Sequence, residues 1–248
     1  MPAMEPQERP GPEAPGRLGK ALMRLLTKRA TVVASEPLAD RFRLMTLEGP
    51  ALRDVAWTAG QKVQIAMGSA FVARTYTPIE WNRPAGRLCL LGYAHGDGPG
   101  STWVRTARPG DECDIFGPRA SLDPGRLPGP LVIVGDETSI GLACAATLQD
   151  RTRAVTSCLE VEDVESVRHV AADLDLPEVA LFARRDGDAH LAAMEAALSE
   201  HAAAGASIVL TGKAGTIQRL RRSLKGRLLP SARLVTKAYW AVGKTGLD

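Results

Sequence analysis

A change of rhythm across DPGRLPGP, residues 123–130, constrains the fold of this 248-residue chain more than any other feature. From Thr31 to about Asp123 the apolar residues fall in short runs separated by Gly, Pro or Asp: ATVVASE, RFRLMTLEG, QKVQIAM, ARTYTPIE, GRLCLLGYA and DECDIFGP. Period-two alternation and β-branched content make these six strands, and six short strands with tight turns predict a small antiparallel barrel. Beyond the Pro/Gly linker, strand-like runs (LVIVGDE, AVTSCLEVE, EVALFAR, SIVLTG) alternate with helical ones (TSIGLACAATLQ, VESVRHVAADL, AHLAAMEAALSEHAAA). That order is the βαβ signature of a parallel sheet. The expected fold is therefore a β-barrel domain over residues 30–125 followed by an α/β domain over residues 130–248. A barrel beside a parallel sheet can hold two planar cofactors edge to edge, because ligands of such a sheet sit beyond the carboxyl ends of its strands.

Ahead of the barrel, MPAMEPQERPGPEAPG is rich in Pro and Glu and poor in large apolar residues, so residues 1–16 are expected to be a disordered tail. Residues 17–29 place Leu18, Leu22, Leu25 and Leu26 on one face and Lys20, Arg24 and Lys28 elsewhere, the pattern of a short amphipathic helix. The charge balance, 31 basic against 28 acidic residues with no long block of one sign, points away from nucleic acid. Cys89, Cys113, Cys144 and Cys158 are widely spaced, so they form no zinc or iron–sulfur ligand set and read as core thiols of a reducing compartment. Without a long apolar run or a secretory pattern the expectation is no membrane span and a cytoplasmic location.

Two stretches carry chemistry. In ARTYT, strand alternation sends Arg74 and Tyr76 to one face and Thr75 and Thr77 to the other, so that a cationic fork and a flat phenol stand together. In HGDGPGSTW, Gly96, Gly98 and Gly100 precede a helix opened by Ser101 and Thr102; glycines let backbone approach a bound group, and the free N–H groups of a helix start attract phosphate. The ordinary readings, an edge strand and a loop, compete with each stretch taken singly. No GxGxxG occurs: Gly135 and Gly141 are too far apart for the usual dinucleotide fingerprint.

Taken in order, RTYT, HGDGPGSTW, PGD, GP, LVIVGDETSIGLA, LEVED and the terminal AYWAVG resemble the siderophore-interacting, ferric-siderophore reductase family of flavoproteins within the ferredoxin-NADP reductase superfamily, over roughly residues 30–245. The resemblance implies an FAD-binding barrel and a nicotinamide-binding α/β domain. It implies that Arg74 binds FAD phosphate, that Tyr76 and Thr77 contact the isoalloxazine, that Thr75 also belongs to the cofactor site, and that His95 and the backbone of Gly96 to Thr102 surround the rest of FAD. Gly135, Asp136, Glu137, Thr138 and Ser139 would lie at the nicotinamide end of the cleft, although two carboxylates repel a pyrophosphate and helix capping is their alternative role. Tyr239 and Trp240 match a terminal Tyr-Trp pair that closes over the site or the domain interface. The resemblance implies NADH or NADPH as donor and a ferric siderophore or other ferric chelate as acceptor.

Coenzyme choice stays open. Glu160 stands where a carboxylate holds a ribose 2′-hydroxyl and favours NAD, whereas Arg184 and Arg185 suit the 2′-phosphate of NADP. Departures from the family's pattern bear on the acceptor. The chain reads YTPIE where an arginine commonly follows the YT pair, Gln64 and Ala241 stand where basic residues are usual, and Lys213 replaces an acidic residue. Lys62, Arg119 and Lys244 remain as candidates for an anionic chelate. The reductase partner of an oxygenase or biosynthetic flavoenzyme is therefore a second reading, with a redox protein as partner, and a flavin-binding protein without turnover is a third. His95, His169, His190 and His201 form no triad or metal set, and the last three are expected on helix surfaces. No acid–base residue or metal is expected.

Overall fold

A computed structural model describes residues 27–67, 69–225 and 229–244. The expected tail and most of the expected N-terminal helix lie outside the described residues. Lys28 and Arg29, assigned to that helix from sequence, instead open strand β1 (Lys28–Ala39). Their place is set by pairing: Lys28 and Arg29 oppose Ile115 and Asp114 of β7 (Glu112–Arg119).

Seven strands, all antiparallel to their neighbours, form the first sheet in the order β4-β3-β7-β1-β2-β6-β5. The others are β2 (Phe42–Glu48), β3 (Lys62–Met67), β4 (Ser69–Tyr76), β5 (Pro78–Asn82) and β6 (Arg87–Tyr93). The seventh arises because ARTYTPIE is two strands rather than one. Pro78 has no N–H to continue a ladder and sits at the first position of β5, where proline is tolerated. Only Thr77 separates β4 from β5, yet these are the two edges of the sheet. Edges joined by one residue lie within about 7 Å of each other, so the sheet must curl nearly closed. Its interior is filled by Val32, Met45, Leu47, Val63, Ile65, Leu88, Leu90 and Ile115.

The second sheet is parallel, in the order β10-β9-β8-β11-β12. Its strands are β8 (Leu131–Gly135), β9 (Val155–Val161), β10 (Glu178–Ala183), β11 (Ser207–Lys213) and β12 (Leu234–Trp240). Helix α1 (Pro99–Thr106) belongs to the barrel. Helices α2 (Ile140–Gln149), α3 (Val164–Asp173), α4 (Leu191–Ala203) and α5 (Ala214–Lys225) belong to the parallel sheet. The four strands and three helices expected there are present; β12 is a fifth strand not anticipated. Strand order reverses at β8, between β9 and β11, and the crevice at such a switch point is where ligands of these sheets bind.

The two halves share a core. Phe42 and Ile79 of the barrel pack with Ile140, Cys144, Leu159 and Val161 of the parallel domain. Helix α2 is the common wall: Ile140 through Ala146 are all buried, an all-round burial that needs partners on both sides. Its first turn rests on the barrel edge, where a Cβ on Gly141 would come 3.1 Å from the carbonyl oxygen of Thr77. Cys113, Cys144 and Cys158 are buried free thiols and Cys89 is half-buried, as expected of core residues.

Candidate functional site

The barrel edge brings the two sequence stretches together. Arg74 and Tyr76 point to one side of β4 and both meet α1. The aliphatic stem of Arg74 lies against Gly100, where a Cβ would fall 2.8 Å from Arg74 Cγ, and the Tyr76 ring packs at 5.4 Å from that of Trp103. Burial pushes the Tyr76 hydroxyl far above its ordinary range, so it stays a phenol. Arg74 Nη1 donates to the carbonyl of Ala73 at 2.9 Å, and Thr75, on the other face, is exposed.

The start of α1 is anchored but not capped. Ser101 Oγ donates to His95 O at 3.0 Å, Arg105 Nη1 donates to Gly96 O at 3.0 Å, and Thr102 N donates to Gly98 O at 3.0 Å. Gly98, the N-cap, supplies no side chain and Pro99 follows it, so the N–H groups of Gly100 and Ser101 have no intrahelical acceptor. Gly96 has a φ of +80° and needs to be glycine for that reason. Gly98 has an ordinary extended φ of −70°, and a Cβ there would meet nothing within 4 Å. Intramolecular packing therefore does not demand a glycine at 98. These free donors beside a guanidinium fit a diphosphate such as that of FAD.

From the barrel a row of rings crosses to the second sheet. Phe42 and Tyr93 lie 4.7 Å apart, Tyr93 and His95 6.0 Å, and His95 and Trp240 6.2 Å with planes 26° apart. Trp240 is held from below: its Nε1 donates to Asp136 Oδ2 at 2.6 Å. Its neighbour Tyr239 has its hydroxyl beside the side chain of Thr77, and burial pushes that hydroxyl up to about 12. The terminal Tyr-Trp pair thus ties the last strand to both the barrel edge and the turn after β8.

That turn is closed on itself. Asp136, 0% exposed, accepts at Oδ1 from the backbone N–H of Thr138 at 2.9 Å and from the Thr138 hydroxyl, and its own N–H donates to Ser139 Oγ at 3.4 Å, completing a capping box. Thr211 Oγ1 lies 2.8 Å from Ser139 Oγ and 3.0 Å from Val134 O. Two glycines make room for this cluster. A Cβ on Gly135 would overlap Ser139 Oγ at 2.1 Å, and one on Gly212, whose φ is +86°, would sit 2.5 Å from Asp136 Oδ2. Glu137, 2% exposed, accepts from Glu162 N at 2.7 Å and from Arg184 Nη2 at 2.8 Å. Burial pushes its carboxyl above the usual range, opposed by the Glu162 N–H and by Arg184. Of the two alternatives read for Asp136 and Glu137, the geometry gives capping and pairing.

Two coenzyme candidates are likewise engaged elsewhere. Glu160 is 0% exposed; its Oε1 accepts from Thr216 Oγ1 at 2.6 Å and its Oε2 faces His190 Nε2 at 2.8 Å. His190 is 6% exposed, not a surface residue, because it closes the N-terminus of α4 over the sheet. Its Nδ1 accepts from Arg185 N at 3.2 Å, so Nε2 carries the proton shared with Glu160. Both oxygens of Glu160 are thus satisfied in the interior. Arg184 spans Glu137 and Glu162, and Glu162 in turn holds Arg41 of the β1–β2 turn at 2.5 Å, an ion pair across the two domains. Arg185 is exposed, and Lys213 Nζ lies 3.4 Å from Asp188. No sequence signal announces the pairing of Arg41 with Glu162 or of Glu160 with His190 and Thr216, because each is made by topology between distant positions.

Of the basic candidates, Lys62 and Arg119 oppose one another across β3 and β7. Lys62 is only 9% exposed, and Arg119 Nη2 donates to Gln64 Oε1 at 2.6 Å. Lys244 is exposed near the chain's end, with its N–H on Ala241 O. Among the described residues no group of three or more His, Cys, Asp or Glu is placed to hold a metal ion, and no helix is long and apolar enough to cross a membrane.

Comparison with known proteins matches residues 64–122 to the family model of the siderophore-interacting FAD-binding domain, a span that contains both flavin stretches. Among solved structures, a siderophore utilization protein from T. fusca is 23% identical with a TM-score of 0.71, covering 90% of this chain and 95% of that one. The siderophore-interacting protein SipS from Aeromonas hydrophila is 24% identical with a TM-score of 0.70, covering 88% and 93%. Phthalate dioxygenase reductase, a modular structure for electron transfer from pyridine nucleotides to a 2Fe-2S centre, is 16% identical with a TM-score of 0.71, covering 88% and 70%. A search of curated proteins finds no match. The chain therefore has the ferredoxin-reductase-like fold that the siderophore-interacting proteins share and matches, over residues 64–122, the family model of their FAD-binding domain.

Proposed function

We propose that this protein is an FAD-dependent NAD(P)H oxidoreductase that delivers electrons to a ferric siderophore or another ferric chelate. The observation that carries the flavin half is the uncapped start of α1 beside Arg74, with Gly98 leaving open space where a side chain would stand. In this reading Arg74 and the N–H groups of Gly100 and Ser101 hold the diphosphate. Tyr76, braced by Trp103, and Thr77, braced by Tyr239, line the ring. FAD, when bound, accepts a hydride from reduced nicotinamide and releases the electrons onward. The chain's task is to bind, orient and exclude water; no side chain is needed as nucleophile or general base. Trp240, fixed by Asp136 and facing His95, shields the space between the domains.

A ferric chelate suits the acceptor role because hard oxygen donors hold Fe(III) more tightly than Fe(II), so reduction releases the metal. The reductase of an oxygenase is the second reading. It is favoured by a neutral Gln64, in place of a base, beside Arg119, and by the shared fold with phthalate dioxygenase reductase. Anaerobic addition of NADH and of NADPH to the FAD-loaded protein tests the proposal: at least one should bleach the visible flavin absorption, and a ferric chelate should restore it faster than a carrier protein does. Bound FAD that neither coenzyme bleaches would leave only the binding protein without turnover.

A further inference from the structure

The linker between the domains reads as a flexible Pro/Gly hinge, yet it is pinned. Arg153 follows α2, in the turn before β9, and its guanidinium donates to three carbonyls of the linker: Nε to Gly129 O, Nη1 to Pro124 O and Nη2 to Leu127 O, each at 2.8 Å. The turn that presents it is itself built, with Asp150 Oδ1 accepting from Thr152 N and Oγ1 and Arg153 N donating to Asp150 O. The linker's other end is fixed to the barrel. Leu122 N donates to Gly60 O at 3.1 Å, and a Cβ on Gly60 would lie 2.6 Å from Leu122 O. Between these anchors Leu122 and Leu127 pack on Leu142, Ala143 and Ala146 of α2.

Helix α2 is thus held at both ends. Its first turn abuts Thr77 on the flavin side of the barrel, and the turn beyond its last residue grips the linker that leaves the barrel. Ten residues make a rod of about 15 Å. A rod fixed at both ends sets where the β8 turn and Trp240 stand relative to Thr77.

We infer that Arg153 is a positioning residue for the reaction between the domains, clamping the linker so that the two cofactor sites keep their separation. This rests on the reductase reading above. A planar guanidinium with its N–H groups in a fixed fork suits three carbonyls on one strap, where an ammonium on a flexible stem can satisfy fewer of them at once.

The test uses the full-length FAD-loaded protein and its Arg153→Ala and Arg153→Lys variants in anaerobic stopped flow. At saturating coenzyme, Arg153→Ala should bleach its flavin about 10-fold more slowly or worse, since a displacement of an ångström at a reacting pair costs up to about 100-fold. FAD affinity and reoxidation by ferricyanide, which need only the barrel, should match wild type. Arg153→Lys should be intermediate, and added guanidinium should restore part of the Arg153→Ala rate. A folded Arg153→Ala protein reduced within twofold of the wild-type rate overturns the inference. If Arg153→Ala does not fold, a wild-type reduction rate in Arg153→Lys overturns it equally. A wild type that neither coenzyme bleaches defeats the reductase reading, and this assignment with it.

Discussion

The barrel edge and the turn after β8 are both rich in Gly, Ser and Thr, yet they use these residues in opposite ways. At the edge, the N–H groups of Gly100 and Ser101 have no intrahelical acceptor, the N-cap has no side chain, and Gly98 faces open space. At the turn, every oxygen of Asp136 and Glu137 has a protein donor, and Gly135 and Gly212 are required by neighbouring atoms rather than by a ligand. Donors left over after folding mark a binding surface; donors used up mark scaffold. In the proposed reading the barrel edge meets the flavin directly, and the GDETS turn acts through what it holds, above all Trp240.

The contrast breaks most sharply at Glu137. Glu137→Ala leaves the Glu162 N–H without its acceptor and Arg184 with only its longer pairing to Glu162, so urea unfolding should show a loss of about 3 kcal/mol. Gly212→Ala should cost about 1–3 kcal/mol, because φ is positive and the added methyl meets the Asp136 carboxylate. Gly98→Ala, by contrast, should change stability by no more than about 0.5 kcal/mol while weakening FAD binding in a fluorescence titration. A destabilised Gly98→Ala with unaltered FAD affinity would erase the distinction between the two regions. The smallest effect is in pH dependence. Burial raises the Cys144 thiol from 9.0 to about 12, so between those values the unfolded chain has lost a proton that the folded one keeps. Stability should fall as pH rises above about 9, and Cys144→Ala should flatten that slope in denaturant titrations at successive pH values.

How much of this was legible in the sequence follows the same division. Arg74 to Thr77 and His95 to Thr102 are local motifs whose strand alternation and glycine spacing already place their groups, and the structure joins the two through Gly100 and Trp103. The burial of His190 and the partners of Glu160 and Arg184 were not legible, because a strand-end carboxylate or guanidinium looks the same in sequence whether it faces a ligand or a partner 30 or 47 residues away. The split at Thr77 was readable from Pro78 in principle, but with no Gly or Asp between residues 73 and 80 the stretch reads as one strand. Strand β12 shows no alternation, since all seven of its residues are only partly buried.

Binding of FAD to wild type and to Arg74→Ala, measured by quenching of flavin fluorescence, tests the central claim most directly. A charge-assisted phosphate contact worth about 1.5–3 kcal/mol predicts a dissociation constant raised roughly 10- to 150-fold, with thermal stability of the apoprotein unchanged. Equal affinities in two equally folded proteins would contradict the assignment of the barrel edge as the flavin site.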